Sequence, residues 1–334
     1  MDLNTFWFAL IAVLFAGFFF LEGFDYGIGI LLPFISKRDS DRRLVINSIG
    51  SVWDGNEVWM IGAGGAIFAA FPIWYGTMFS GFYFALVLIL LGLGLRGVSI
   101  EFRSKSKYRR WRTFWDISLF LSSSLLAILW GVFVGNLIRG VPIAEGIYVG
   151  SFWDLLNVYS LVAGVLFLLI FAFHGAAYLR IKIDKTSDVW YCVNKLIPQL
   201  HRVASIVFLF FVLITIYEAN LLHDSRGFSM FAVGFALFVL AGVGCQKRNK
   251  ITFLLCALSI IVTTLAVFVH SYPRVLISTL SSEWSLTVYN ASSSQYSLKI
   301  MMIVALIFVP LIILYQALSY WLFRKRITVK DLKY

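Results

Sequence analysis

The sequence predicts an all-α polytopic membrane protein with nine transmembrane helices, N-terminus outside and C-terminus cytosolic. Three observations predict it. Of the 334 residues, 60% are hydrophobic and 13% charged, where soluble domains carry about 25% charged residues; a soluble fold would leave too much apolar surface bare. Windows of about 19 residues find nine apolar runs, each able to cross a hydrocarbon core of roughly 30 Å. Finally, 24 of the 28 lysines and arginines fall on one side of the alternation, which the positive-inside rule assigns to the cytosol. That bias requires an odd number of spans.

Span 1, residues 6–35, is Phe-rich and runs inward into a loop with Lys37, Arg38, Arg42 and Arg43. Span 2, residues 52–70, returns outward, and span 3, residues 77–98, carries Arg96 just before a loop of six more basic residues between Arg103 and Arg112. Span 4, residues 114–138, opens on Trp115-Asp116. Span 5, residues 158–179, holds His174 followed by Gly175-Ala176-Ala177, a run suited to close helix contact. Spans 6, 7 and 8 cover residues 203–222, 228–245 and 251–271. A Ser/Thr-rich outer loop, residues 272–297, is expected to pack on the outer face. Span 9, residues 298–323, precedes a basic tail, and Pro310 is the one proline read as lying well inside a span.

Nine spans fit two four-helix bundles (about 1–140 and 141–272) followed by the outer loop, a last helix and the tail (273–334), a single integral membrane unit with a weak hint of internal duplication. The N-terminus lacks the basic region of a cleavable signal peptide. A net charge of +11 could suggest nucleic acid, but its one-sided placement marks topology instead. Cys192, Cys245 and Cys256 show no CxxC spacing and are expected to be free thiols, with neither disulfide nor metal site.

The residues that need a reason are acidic. Glu22 and Asp25, and Asp54 and Glu57, form two i,i+3 pairs inside or at the edge of apolar runs. A carboxylate near the middle of a bilayer costs about 2.5–3.5 kcal/mol on the lenient insertion scale. Spans 1 and 2 are expected to be antiparallel neighbours with both pairs at similar depth on the cytosolic side. Arg96, Asp116 and His174 share that layer. The functional reading is a proton path; the structural one is helix bracing, with Asp25 or Glu57 paired to Arg96 or a loop arginine. His174 is read as a relay or a structural hydrogen-bonding residue, haem ligation being the less favoured role. Of the other histidines, His201 falls in a cytosolic loop, and His223 and His270 at the outer edge. Trp-Asp occurs at Trp53, Trp115 and Trp153, where interfacial tryptophans belong. The glycines at 23, 27 and 29 and at 62, 64 and 65 are expected to permit tight packing, with room for a lipid or quinone tail as the lesser reading.

Several stretches together resemble subunit II of the cytochrome bd-type quinol oxidases. They are Glu22-Gly-Phe-Asp-Tyr-Gly-Ile-Gly29, the segment from Ile46 to Trp59 with its Trp53-Asp54-Gly55-Asn56 core, Ala63-Gly-Gly-Ala-Ile-Phe-Ala-Ala-Phe-Pro72, Phe79-Ser-Gly-Phe-Tyr83, the Phe133–Pro142 run, His174-Gly-Ala-Ala-Tyr-Leu179 and the Ser285–Gln295 run. The resemblance implies two four-helix bundles plus a peripheral helix. It implies a haem-bearing subunit I as partner, carrying two haems b and one haem d, and oxidation of quinol coupled to reduction of O2 to water with cytosolic protons. It makes Asp54 the proton-route aspartate at the subunit interface, with Asn56 beside it. It places an oxygen route near Trp59, and Trp53 on that same interface. Asp25, Glu22 and Glu57 join the expected proton path, and no residue of this chain is expected to be catalytic or to bind metal. A quinone or lipid bound in this chain and a small accessory subunit are allowed by the resemblance, and the expected location is the prokaryotic plasma membrane. The alternative reading from the residues alone is a proton-coupled secondary transporter; a membrane anchor for a soluble reductase is a third.

Overall fold

A computed structural model describes residues 2–219, 224–243 and 249–331. His223, Cys245, Lys247, Arg248 and Lys333 lie outside the described residues. Among those described, eight helices are long and apolar enough to cross a membrane, and a ninth span forms if one sharply bent helix pair is counted as one. The helices are α1 (Leu3–Ile35), α2 (Asp39–Asn47), α3 (Trp53–Ala70), α4 (Pro72–Gly81), α5 (Tyr83–Phe102), α6 (Arg109–Arg139), α7 (Val158–Lys182), α8 (Asp188–Glu218), α9 (Ser225–Val243), α10 (Asn249–Ser271) and α11 (Gln295–Leu322).

The bent pair is α3 and α4, which meet at 119°. Pro72 is the first residue of α4: it has no N–H to continue α3, and it disfavours helical geometry at Phe71. The carbonyls this break frees are satisfied from the outer loop. Ser293 donates its backbone N–H to Ala70 O at 2.8 Å and its hydroxyl to Ala69 O at 2.7 Å. The expected span 3 therefore starts too early at residue 77: Thr77 belongs to α4, and the third crossing begins at Tyr83. The expectation of a single intraspan proline also fails, because Pro33 lies inside α1 and Pro198 inside α8 as well as Pro310 in α11.

Helix α1 is the hub. It packs against α3, α6, α7 and α10, while α5 packs on α6, α6 on α7, α7 on α8 and α9 on α10. Lipid offers no hydrophobic drive for helices to associate, so close van der Waals fit has to do it. The fit is tightest at the α1–α7 crossing. A Cβ on Gly27 would overlap the Phe171 carbonyl, and one on Gly175 would sit 2.6 Å from the Gly27 carbonyl carbon. Gly131 of α6 is pressed against Ala163 and Gly164 of α7 in the same way. By contrast, Gly62, Gly64 and Gly65 have nothing within 4 Å of an added Cβ. Only the first of the two glycine runs thus packs within this chain.

Helix α11 is peripheral: 6% of its apolar window is buried. The outer loop packs on one end of the bundle, as expected. It holds strands β3 (Arg274–Leu276) and β4 (Leu286–Thr287), which follow the short hairpin of β1 (Ile143–Ala144) and β2 (Ile147–Tyr148). Asn4 ties the start of α1 to this loop through Val288 O and Ser292 Oγ, both at 2.7 Å.

Candidate functional site

Three of the four acidic residues meet in one buried cluster between α1, α3 and α5. Glu22 and Asp25 stand on the same face of α1, and both are essentially inaccessible. Arg96, equally buried on α5, forms ion pairs with Glu22 and, at 2.6 Å, with Glu57 of α3. Its guanidinium also lies 4.9 Å from the Tyr26 ring centre and 5.8 Å from that of Trp53, close enough for cation–π attraction.

Asp25 takes its contact from α3. Asn56 Nδ2 donates to Asp25 Oδ2 at 2.7 Å. The orientation of the Asn56 amide is set from the far side, where Gln316 Nε2 and Tyr320 Oη both donate to Asn56 Oδ1 at 2.8 Å. Gln316 and Tyr320 are i,i+4 on α11 and so share a face. Gln316 and Leu298 are the buried side chains of the mostly exposed α11. Two donors on the amide oxygen leave the amide nitrogen to face the carboxylate.

The charge balance decides what this cluster can do. It holds three carboxyls and one guanidinium. Fully ionised, it carries two uncompensated negative charges away from water, where each costs several kcal/mol. Glu57 connects the set to the chain surface, its side chain being 19% exposed.

Asp54 stands apart. It is exposed and, among the described residues, its side chain has no hydrogen bond or ion pair, although it is three residues from Glu57. A helix turns 100° per residue, so Asn56 and Asp54 are about 200° apart, on opposite sides of α3. Glu57 lies between them and reaches back to Arg96. Gly65, eleven residues on and about 20° from Asp54 around α3, is exposed too, and among the described residues nothing lies within 4 Å of a Cβ added there or at Gly62 and Gly94. Trp59 lies between α3 and α1, its ring against Gly17.

The remaining sequence candidates go elsewhere. Asp116 joins a separate network at the basic end: Arg103 Nε donates to it at 2.5 Å and Arg42 Nη1 at 2.7 Å, while Asp39 accepts from Arg103 and Arg112. His174 shares no hydrogen bond with the acidic cluster. Its Nε2 donates to Phe20 O at 3.1 Å, and its ring stacks on Phe253 with centres 4.7 Å apart and planes 5° from parallel. That enclosure does not suit a haem ligand, since ring face and one nitrogen are already committed. Among the described residues no three His, Cys, Asp or Glu side chains gather as a metal site, and Cys192 is a free thiol. The residues that sequence reasoning missed are Gln316, Tyr320 and Tyr26. The signal for the first was present, as a glutamine in the middle of an apolar span.

The comparisons with known proteins agree with one another. The family model described as "Cytochrome bd terminal oxidase subunit II" matches residues 3–323. The chain is 38% identical to cytochrome bd ubiquinol oxidase subunit 2 of Bacillus subtilis, covering 99% of this chain and 98% of the relative. It is 32% identical to cytochrome bd-I ubiquinol oxidase subunit 2 of Escherichia coli K12, covering 99% and 97%. A chain of the solved bd oxidase from Geobacillus thermodenitrificans superposes with a TM-score of 0.72 at 15% identity, over 97% of this chain and all of that one; this last likeness speaks to fold.

Proposed function

We propose a function from one established premise: the chain belongs to the cytochrome bd terminal oxidase subunit II family. It is thus a multi-pass bacterial membrane protein and a subunit of a bd-type oxidase, a haem-dependent oxidoreductase, and a partner subunit I is implied. Beyond that premise, this chain supplies protons and shapes O2 access for quinol-driven reduction of O2 to water. The haems b and d sit on subunit I and supply the oxygen-reducing chemistry; the enclosure of His174 supports that placement. The basic ends of the helices face the cytosol, from which the protons come.

The observation that carries this reading is the acidic cluster on α1 and α3 with its single arginine, next to an aspartate that has no partner among the described residues. Glu22, Asp25 and Glu57 hold an exchangeable proton in a buried site. Asp54, on the exposed face of α3 that Gly65 shares, passes protons across the junction with subunit I. Gly65 lets a partner helix approach that face closely, and Trp59 lies on the adjoining apolar path for O2. A transporter reading also uses buried acids, but family membership favours the oxidase.

The test separates the two aspartates in the assembled complex. Asp54→Asn is expected to leave yield and haem spectra normal and to cut quinol-driven O2 consumption about a hundredfold, the low end of what a removed proton-transfer group costs. Asp25→Asn is expected to lower yield or perturb the haem spectra, since Asn56 then faces a neutral amide in place of a carboxylate, and a charge-assisted hydrogen bond is lost. Full turnover of Asp54→Asn with normal haem content would sink the proton-delivery reading.

A further inference from the structure

At the basic end of the bundle lies a cavity of about 840 Å³ that the acidic cluster does not share. Its walls come from four parts of the chain: the segment around α2, the end of α5 with the turn after it, the end of α7, and the C-terminal segment. That last segment is held in place by backbone pairing. Ile327 N–H donates to Lys182 O at 2.8 Å and Asp184 N–H to Ile327 O at 3.1 Å. The tail therefore closes a wall that the helices alone would leave open.

Six basic side chains line this space, Arg43, Arg103, Lys105, Lys182, Lys325 and Arg326, against two acidic ones, Glu101 and Asp331. Among the described residues only Arg103 of the six has a carboxylate within ion-pair distance. Arg103 is 2% exposed. Asp116 and Asp39 occupy its Nε and Nη2, and its Nη1 is buried without a partner. Arg43 Nε is likewise buried and unpartnered. A buried guanidinium N–H without an acceptor is uncommon, and the two arginines that carry them both line one cavity crowded with like charge. Leu322, Phe323 and Ile327 supply an apolar side to the same space. A volume in the range of small-molecule sites, cations without acids and an adjoining apolar wall together match a phosphate ester carrying a greasy tail.

We propose that this cavity binds the phosphate group of an anionic phospholipid headgroup, with Arg43, Arg103 and Lys325 as its donors. Basic pockets between helices at the cytosolic side of a membrane are sites for such headgroups. The site is distinct from the acidic cluster and does not depend on the proton reading.

The experiment uses the detergent-purified, delipidated oxidase complex with phosphatidylglycerol, phosphatidylcholine or inorganic phosphate, read by native mass spectrometry and by thermal melting. Phosphatidylglycerol is expected to stay bound and raise the melting temperature, and phosphatidylcholine to do neither. Inorganic phosphate is expected to compete only at far higher concentration; binding as tight as that of the lipid would assign the site to free phosphate and overturn the lipid source. The double variant Arg43→Gln/Lys325→Gln is expected to lose roughly thirtyfold in phosphatidylglycerol affinity, taking each basic residue at its usual worth near anionic lipid. If the double variant fails to assemble, Lys325→Gln alone, on the exposed tail, is expected to lose roughly fivefold. Equal retention of the two lipids, or unchanged affinity in the variants, overturns the proposal.

Discussion

Replacing Arg96 with methionine is the perturbation whose cost follows most directly from the acidic cluster. Arg96 is the cluster's only cation and serves two carboxylates, Glu22, which is fully buried, and Glu57 at 2.6 Å. Removing one partner of a buried ion pair costs about 3–5 kcal/mol, because the charge left behind is uncompensated. Here three carboxyls remain with no cation, so the upper end applies, about 5 kcal/mol, which is more than three decades in an equilibrium constant. Glu22→Gln has the opposite effect on charge: it removes one of the excess negatives, keeps the shape, and leaves Arg96 paired with Glu57. Its cost is that of a weakened hydrogen bond, about 1–2 kcal/mol. The double variant Glu22→Gln/Arg96→Met should recover part of the Arg96→Met loss, since residues in one network are not additive. Thermal melting of the detergent-purified complex, with the amount of assembled complex per unit of membrane as a second readout, measures the order. The predicted order of stability is wild type, Glu22→Gln, the double variant, then Arg96→Met. An Arg96→Met complex as stable as Glu22→Gln would refute the charge argument.

Gln316→Leu with Tyr320→Phe removes both donors to Asn56 Oδ1; a loss of about 1 kcal/mol per hydrogen bond is expected. The pH profile of turnover should move as Asn56 becomes free to turn from Asp25, whereas a merely structural pair would lower yield and leave the profile in place. Gly27→Ala should destabilise the chain by about 1–3 kcal/mol, as overpacking does, because its Cβ overlaps the Phe171 carbonyl. Gly65→Leu meets nothing within this chain and should instead weaken co-purification of subunit I; equal recovery of the partner would refute the assigned face. At the outer end of α9, burial works against the Asp224 charge. The Gly227 N–H and His270 nonetheless hold its carboxyl below the ordinary value of 3.8. A depressed carboxyl stabilises the fold above that value and loses its effect as pH falls through the folded one. Protection of the amides at the start of α9, measured against their intrinsic exchange rates, should therefore be lost as pH falls below about 4. Asp224→Ala should cost about 1 kcal/mol as a lost cap and remove that acid step.

The number of crossings and the apolar limits were legible because hydropathy and charge bias depend only on composition along the chain. What surrounds a residue depends on which neighbour faces it, and that was only partly legible. The spacing of Glu22 and Asp25 correctly puts them on one face. The same spacing for Asp54 and Glu57 misleads: residues three apart differ by about 60°, enough for Glu57 to reach Arg96 while Asp54 points off the chain. The pairing of Glu57 with Arg96 was foreseeable as the structural alternative for that residue, whereas Asp25 turned to an amide, Asn56, and not to an arginine. Gln316 escaped notice because an apolar run tolerates one polar residue without losing its score. The break at Phe71 was signalled by Pro72, but its stability rests on Ser293, more than two hundred residues away in sequence, and no local pattern announces such a partner.

Proton uptake itself tests the central claim most directly. Fully reduced oxidase is mixed with O2 in weakly buffered medium, and uptake is followed with a pH-sensitive dye in wild type and Asp54→Asn complexes of equal haem content. The account predicts that Asp54→Asn slows uptake about a hundredfold while its reduced spectrum matches wild type. Uptake at the wild-type rate would contradict a proton route through Asp54.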